Sequence, residues 1–369
     1  MIEIYEQVKQ FGNEIGWLSN IFGIGVFALT AVAFKLTGTV LKKRNLQKRL
    51  DVSKSIVTND GEFRIGKISD QFIVVEGNGV ETFAKISTKE IPTKINLPAE
   101  ALDEIERITH ELKDQEGAHF KLYNGDIYCF TNFRISRTEK DESACVDLDF
   151  NHSKYYEFLA VDRLARSPKF RAKYFAESIR TRKPKLCLGF GIALTIITAD
   201  NKLVVPRRSE NVSVWKNKYT ISANEALSRM LDRNEKGQPD VYFAAQRAAK
   251  EELGVDIRTE AIRFYALGFE TISLQWALLG TIQTELTSHD IEDSFRTTAK
   301  DKCEHTELRF VDFTPEAVIR FINENTDDMV PGCKAQFLLS LFNHGADIEH
   351  VRAVAFGSKI KPRRNAQFA

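Results

Sequence analysis

Along the chain the spacing of apolar positions changes several times, and each change marks an element. From Ile15 to Phe34 the sequence IGWLSNIFGIGVFALTAVAF runs for twenty residues without a charge. At about 1.5 Å of rise per residue, a helix of that length spans the roughly 30 Å hydrocarbon core of a bilayer. LTGTVL after Lys35 carries the stretch on to Leu41. The pattern predicts one transmembrane helix over 15–41, preceded by a short tail of residues 1–14. That tail holds Glu3, Glu6 and Glu14 against Lys9, unlike the basic start of a cleaved signal peptide. Lys42, Lys43, Arg44, Lys48 and Arg49 follow the apolar run with no acid among them. The positive-inside rule then places the N-terminus outside a bacterial inner membrane and everything after residue 42 in the cytoplasm, as a single-pass protein.

Beyond the basic stretch the period shortens. Asn59-Asp60-Gly61 is a hairpin-turn signal, and FRIGKI and QFIVVEG fit short strands. Leu102, Ile105, Ile108 and Leu112 then recur every three or four residues, which predicts an amphipathic helix over 99–114. Residues 42–117 read as a basic juxtamembrane segment with a small accessory section of strands and one helix. From 118 to 356 the pattern is that of a main domain. HFKLYNGDIYCFTNFRI alternates like a hairpin around Asn124-Gly125, and VDLDFNHSKYYEFLAV leads into a helix. The buried strand CLGFGIALTIIT turns at Asp200-Asn201 into KLVVPRRSENVSVW. A basic tail, 357–369, closes the chain.

Composition narrows the function. Over 369 residues, 52 Lys and Arg balance 51 Asp and Glu, whereas dedicated nucleic-acid binders are usually strongly basic, so no DNA or RNA polymer is expected as partner. The five cysteines, Cys129, Cys145, Cys187, Cys303 and Cys333, form no C-x-x-C pair and read as reduced thiols of a cytosolic domain. Nine basic residues lie between Arg163 and Lys185 against Glu177 alone, a candidate rim for a phosphate-binding cleft.

Candidate chemistry concentrates in FAAQRAAKEELGVDI. On a helix Arg247 and Glu251 stand four apart on one face, so the arginine can orient that carboxylate. Glu252 is adjacent, and Glu304 or Glu307 would approach from a downstream strand. Clustered carboxylates of this kind suit Mg²⁺ or Mn²⁺ holding a pyrophosphate. Arg207 and Arg208 are candidates for phosphate contacts because a guanidinium fork matches phosphate oxygens. Trp215, Tyr219 and Phe243 are candidate stacking faces for a base.

The segment resembles the second half of a Nudix box, G-x5-E-x7-R-E-U-x-E-E-x-G-U, with U an aliphatic residue. Arg247 takes the Arg position, Glu251 and Glu252 the paired glutamates, Gly254 the glycine and Val255 the last aliphatic, within a box region of 219–257. The resemblance implies an α+β fold, a Nudix-like α/β/α sandwich with a mixed sheet, behind the transmembrane helix and a small β-rich accessory section. It also implies Glu251 and Glu252 as metal ligands for Mg²⁺ or Mn²⁺ and, were the site active, Glu251, Glu252 and Glu307 as catalytic residues. Two departures count against hydrolysis. Ala248 stands where the family has Glu, and Glu225 lies 22 positions before Arg247 instead of eight, an insertion of 14 around LDRNEKGQPD.

A membrane helix joined to a Nudix-like domain resembles the transmembrane-NUDIX effectors of bacterial cyclic-oligonucleotide-based antiphage signalling. That resemblance implies a cyclic oligonucleotide second messenger as ligand, bound by Arg207, Arg208, Arg247, Trp215 and Tyr219. It further implies the lipid bilayer as target and homo-oligomer formation on activation. The alternative it leaves open is a membrane-tethered, Mg-dependent Nudix pyrophosphohydrolase of nucleoside diphosphate derivatives.

Overall fold

FGIALTII, residues 190–197, is buried at every position, as a strand covered on both faces must be. The computed structural model describes residues 62–93, 95–113, 124–186 and 188–357, within a unit spanning Val52–Ala369. The expected transmembrane segment, its flanking tail and basic stretch, the turn at 59–61 and the basic tail lie outside these residues. Among the described residues no helix is long and apolar enough to cross a membrane.

In chain order the strands are β1 (Phe63–Ile65), β2 (Ile68–Asp70), β3 (Phe72–Gly77), β4 (Lys85–Glu90), β5 (Asp126–Arg137), β6 (Ala144–Lys154), β7 (Phe190–Ile197), β8 (Lys202–Arg208), β9 (Ala223–Ala226), β10 (Ile262–Glu270), β11 (Trp276–Gln283) and β12 (His305–Asp312). The helices are α1 (Ala99–Lys113), α2 (Tyr155–Ala165), α3 (Pro168–Tyr174), α4 (Ala176–Thr181), α5 (Val241–Leu253), α6 (Ser288–Thr297), α7 (Pro315–Glu324), α8 (Cys333–Asn343) and α9 (Ile348–Phe356). The central sheet runs β12-β8-β7-β11-β10-β3, with β9 also on β7, and is mixed because β7 and β11 are parallel while their other neighbours are antiparallel. Strand alternation gives it two buried faces. Ile192, Leu194, Ile196 and Val204 pack with α5 and the small sheet β4-β6-β5, whereas Ala193, Leu203 and Val205 pack with α7, α8 and α9. The chain is thus an α+β protein built on a mixed sheet.

Residues 62–113, expected as an accessory section, are part of the main domain. β3 is the edge strand of the central sheet, paired with β10, and β4 pairs in parallel with β6. The predicted short strands and the helix at 99–113 are present; β1 and β2 pair with each other, whereas β3 and β4 are completed by strands beyond 117. The hairpin within this section turns at Gly66-Lys67, between β1 and β2, with Gly66 at φ 60°. β5 pairs with β6 across the turn at 138–143, and the first arm of the hairpin expected at Asn124-Gly125 lies outside the described residues. α8 and α9 complete the second face of the sheet.

α8 shows how distant residues fix an element that its own sequence leaves open. Gly332 at its N-cap has no side chain to satisfy the first amides. The buried carboxylate of Asp70 does so instead, accepting from the Gly332 and Ala335 N–H groups at 2.9 Å each. Replacing Asp70 by alanine should cost about 1–3 kcal/mol, since it leaves those amides buried without acceptors; urea denaturation of the full chain measures this.

Candidate functional site

α5 is the structural centre of the site, and its ends are set by local chemistry. Asp240 caps the start, its side chain accepting from the Tyr242 and Phe243 amides. Gly254 ends it in a left-handed conformation at φ 72°. A Cβ there would lie 2.6 Å from the Ser294 carbonyl oxygen, so only glycine fits. The helix is therefore held in register, and with it Arg247, Glu251 and Glu252.

Arg247 is the hub. Its Nη1 lies 3.1 Å from Glu225 Oε2 and 3.1 Å from Glu251 Oε2. Its Nε and Nη2 donate to the two oxygens of Asp232 at 3.0 and 2.8 Å, and Nη2 also donates to the Ala226 carbonyl. Glu225 comes from β9 and Asp232 from the insertion, so the 14 extra residues do not displace the first half of the motif in space. The insertion is fastened at both sides. Arg229 and Arg233 pair with Glu90 at the end of β4, and Arg233 also donates to the Tyr128 hydroxyl. Asp232 is fully buried and also accepts from the Ser228 amide. Burial works against the Arg247 charge, and Asp232, Glu225 and Glu251 more than reverse it, holding its pKa above the usual arginine value.

Glu252 is engaged differently. One oxygen accepts from the Asn224 amide at 2.8 Å and the other lies 2.9 Å from Nε2 of the buried His305. Burial pushes the Glu252 carboxyl up to about 8 and the His305 imidazole down to about 4. Both shifts favour the uncharged partners, so the pair carries no net charge at neutral pH. The His305 Nδ1 has no hydrogen-bond partner among the described residues. Burial also raises Glu225 to about 8 against the pull of Arg247, with the neighbouring Glu252, Glu304 and Asp232 adding to the rise.

These engagements set what the carboxylates offer a metal. Glu225, Glu251 and Asp232 face Arg247, and Glu252 faces His305 and an amide. Among the described residues no three His, Cys, Asp or Glu side chains converge as a metal-binding group. Glu251 is bonded to Arg247 and Glu252 to His305 and the Asn224 amide, and the two groups stay close enough for Glu252, Glu304 and Asp232 all to act on Glu225.

A cavity of about 220 Å³ opens beside this cluster, between β7, β9 and β11, the 212–215 segment and the start of α8. Arg208, Glu225 and Glu304 line it, with Trp215, Trp276, Tyr155 and Phe158 as its aromatic walls. The 212–215 segment is tied across the opening: the hydroxyls of Tyr155 and Ser213 are 3.0 Å apart, Arg208 Nε donates to the Val214 carbonyl, and the Arg166 guanidinium lies 5.3 Å from the Trp215 ring centroid.

The structure separates the residues that the sequence grouped. Neighbours on a strand point to opposite faces, so Arg208 reaches the cavity while Arg207 lies over the Tyr219 ring, 5.0 Å from its centroid. Tyr219 is a core residue, packed edge-on against Phe321, with its hydroxyl donating to Glu307. Glu307, bonded to Tyr219 and Arg309, is not part of the carboxylate cluster; Glu304 is the downstream glutamate that is. Trp215 lines the cavity, and Phe243 stands exposed at the start of α5. The basic run at 163–185 is largely engaged: Arg163 pairs with Glu104 and Glu111, Arg166 with Asp162 and Lys173 with Glu100. Sequence reasoning missed Asp232 and His305. Asp232 sat in a polar insertion that looked like an ordinary loop, and no spacing rule ties a lone histidine to a glutamate 53 positions earlier. Cys145, Cys303 and Cys333 are free thiols.

No family model matches the sequence, and no curated protein does. Among solved structures the chain is similar to Tm1382, a putative Nudix hydrolase, at 11% identity over 59% of this chain and 98% of that one, with a TM-score of 0.30. It is similar also to DR0079 from Deinococcus radiodurans, at 18% identity over 43% and 84% of the two chains, TM-score 0.29. A MutT/nudix family protein from Enterococcus faecalis matches at 12% identity over 33% and 43%, TM-score 0.24. Likenesses at TM-scores of 0.30 or below do not establish a family.

Two outcomes are expected of the cluster. Arg247→Ala should destabilise the full chain by about 3–5 kcal/mol in urea denaturation, because it strands buried carboxylates. The second concerns pH. The Glu252 carboxyl rises from 4.5 to about 8 on folding, so its stabilising contribution is complete below 4.5 and is lost as pH rises toward 8. His305, lowered from 6.5 to about 4, contributes above 6.5 and loses that as pH falls toward 4. Between pH 6.5 and 8 only the carboxyl contributions change. Thermal midpoints of the parent should fall across that window, and those of Glu252→Gln should fall less.

Proposed function

We propose that this chain is a membrane-anchored nucleotide sensor whose domain keeps a Nudix-like frame and binds its ligand without hydrolysing it. The ligand class is a cyclic oligonucleotide, held in the cavity beside α5, and the role is that of an effector in bacterial antiphage defence. The observation that carries binding over turnover is the state of the carboxylates. Arg247 clamps Glu225, Asp232 and Glu251, and Glu252 is sealed against His305, so the side chains that would have held metal and pyrophosphate are engaged with the chain itself. Ala248, in place of the motif's glutamate, is fully buried among apolar neighbours and adds no donor.

The anchor rests on the uncharged run at 15–34 and the basic cluster after it. Coupling between ligand and bilayer then has a definite energetic demand. Moving a resting population from 1:99 to 99:1 requires about 5.5 kcal/mol of differential binding, which assembly into a homo-oligomer distributes among subunits. Glu304 supports the second reading, a Mg-dependent pyrophosphohydrolase, since its carboxylate faces the cavity without a partner among the described residues.

Calorimetry and product analysis on the full chain in detergent separate the two. The sensor reading expects saturable binding of a cyclic di- or trinucleotide that is unchanged by EDTA, with no product formed. Rapid Mg²⁺-dependent hydrolysis of nucleoside diphosphate derivatives, abolished by Glu304→Gln, would establish the enzyme instead.

A further inference from the structure

The cavity offers a phosphate a single cation. Three acidic side chains, Glu225, Glu270 and Glu304, line it against one guanidinium, Arg208, among the described residues, and burial pushes all three carboxyls up. Two of the three are already committed. Glu270 accepts from the Ile272 and Ser273 amides, and Glu225 from the Ala226 amide and Arg247. Glu304 is different: its backbone carbonyl holds the Ser209 amide, while its carboxylate has no partner among the described residues. Arg208 uses only Nε, on the Val214 carbonyl. Burial and the neighbouring Glu252 push the Glu304 carboxyl up, and Arg208 pulls it back without forming an ion pair with it. A free acceptor pair thus faces a free donor fork, with an aromatic ring beside them.

We propose that this cavity reads a guanine base, with Glu304 accepting from its N1–H and N2 amine, Arg208 donating to its O6 and N7, and Trp215 stacking on the ring. A carboxylate needs two adjacent donors, and a guanidinium fork needs two adjacent acceptors. Guanine presents one such edge of each kind. Adenine mixes donor and acceptor on both of its edges, and inosine's base lacks the second donor. The Arg166 guanidinium covers one face of Trp215 and so braces it as a stacking platform. The phosphates of the ligand stay outside the cavity, away from Glu225 and Glu304.

This inference rests on the nucleotide-binding reading, and the test keeps the two apart. Full-length chain is titrated with GMP, IMP and AMP, and with a cyclic dinucleotide of guanosine, by calorimetry. GMP should bind about tenfold or more tighter than IMP or AMP, the range expected for one good bidentate contact. Glu304→Gln should bring GMP down to the level of IMP, whereas Arg208→Lys should weaken GMP and IMP alike, since both carry O6 and N7. Circular dichroism of each variant confirms the fold before titration. AMP binding as tightly as GMP, or an unchanged GMP-to-IMP ratio in Glu304→Gln, would overturn the guanine assignment alone. If none of the four nucleotides binds, the nucleotide-sensor reading itself falls.

Discussion

One buried guanidinium sets the geometry of this domain. Arg247 stands on α5 and gathers carboxylates from three other places, β9, the insertion and the next turn of its own helix. A cation surrounded in this way by three acids is costly to dissect and leaves those acids little freedom. Because Asp232 must reach it, the insertion cannot loop into solvent, and because Arg229 and Arg233 in that insertion hold Glu90, β4 is drawn in as well. The strands before residue 117 therefore belong to the same structure as α5. The wall of the cavity is a by-product of this clamp, since β9 brings Glu225 to Arg247 and lines the cavity with Asn224, Glu225 and Ala226.

Much of the frame was legible in the sequence because it obeys period. The apolar run at 190–197, the turn at Asp200-Asn201 and the α5 pattern ending at Gly254 arise from local sterics and amphipathicity, and they form where expected. The illegible part depends on contacts across long stretches of chain. The pairing of β3 with β10 and the capping of α8 by Asp70 have no signature at either end. The site divides along the same line. Arg247 with Glu251 was readable as a four-residue spacing on a helix, but the partnership of Glu252 with His305 was not. Arg207 and Arg208 separate for a simple reason: adjacency in sequence means opposition on a strand, so Arg208 lines the cavity and Arg207 lies over the Tyr219 ring.

The chemistry of the domain depends on which charges are left over. Structural ion pairs take up most of the acids and bases near the box helix, and the uncommitted groups at the cavity are a glutamate and an arginine, Glu304 and Arg208, that face each other without touching. Paired charges rigidify; unpaired ones in a cavity are available to a ligand. A domain arranged this way is suited to recognition, and a ligand that stacks on Trp215 also touches the segment latched by Tyr155 and Arg166.

On the proposed reading the carboxylates of α5 answer to the chain's own cations and not to a divalent metal. Titration of Mn²⁺ into the full chain, followed by electron paramagnetic resonance, addresses it without any assumption about ligand or activity. The account predicts that micromolar Mn²⁺ keeps the six-line spectrum of the free aquo ion in the presence of excess protein. Loss of that signal with one ion bound per chain, restored by Glu251→Gln or Glu252→Gln, would contradict it.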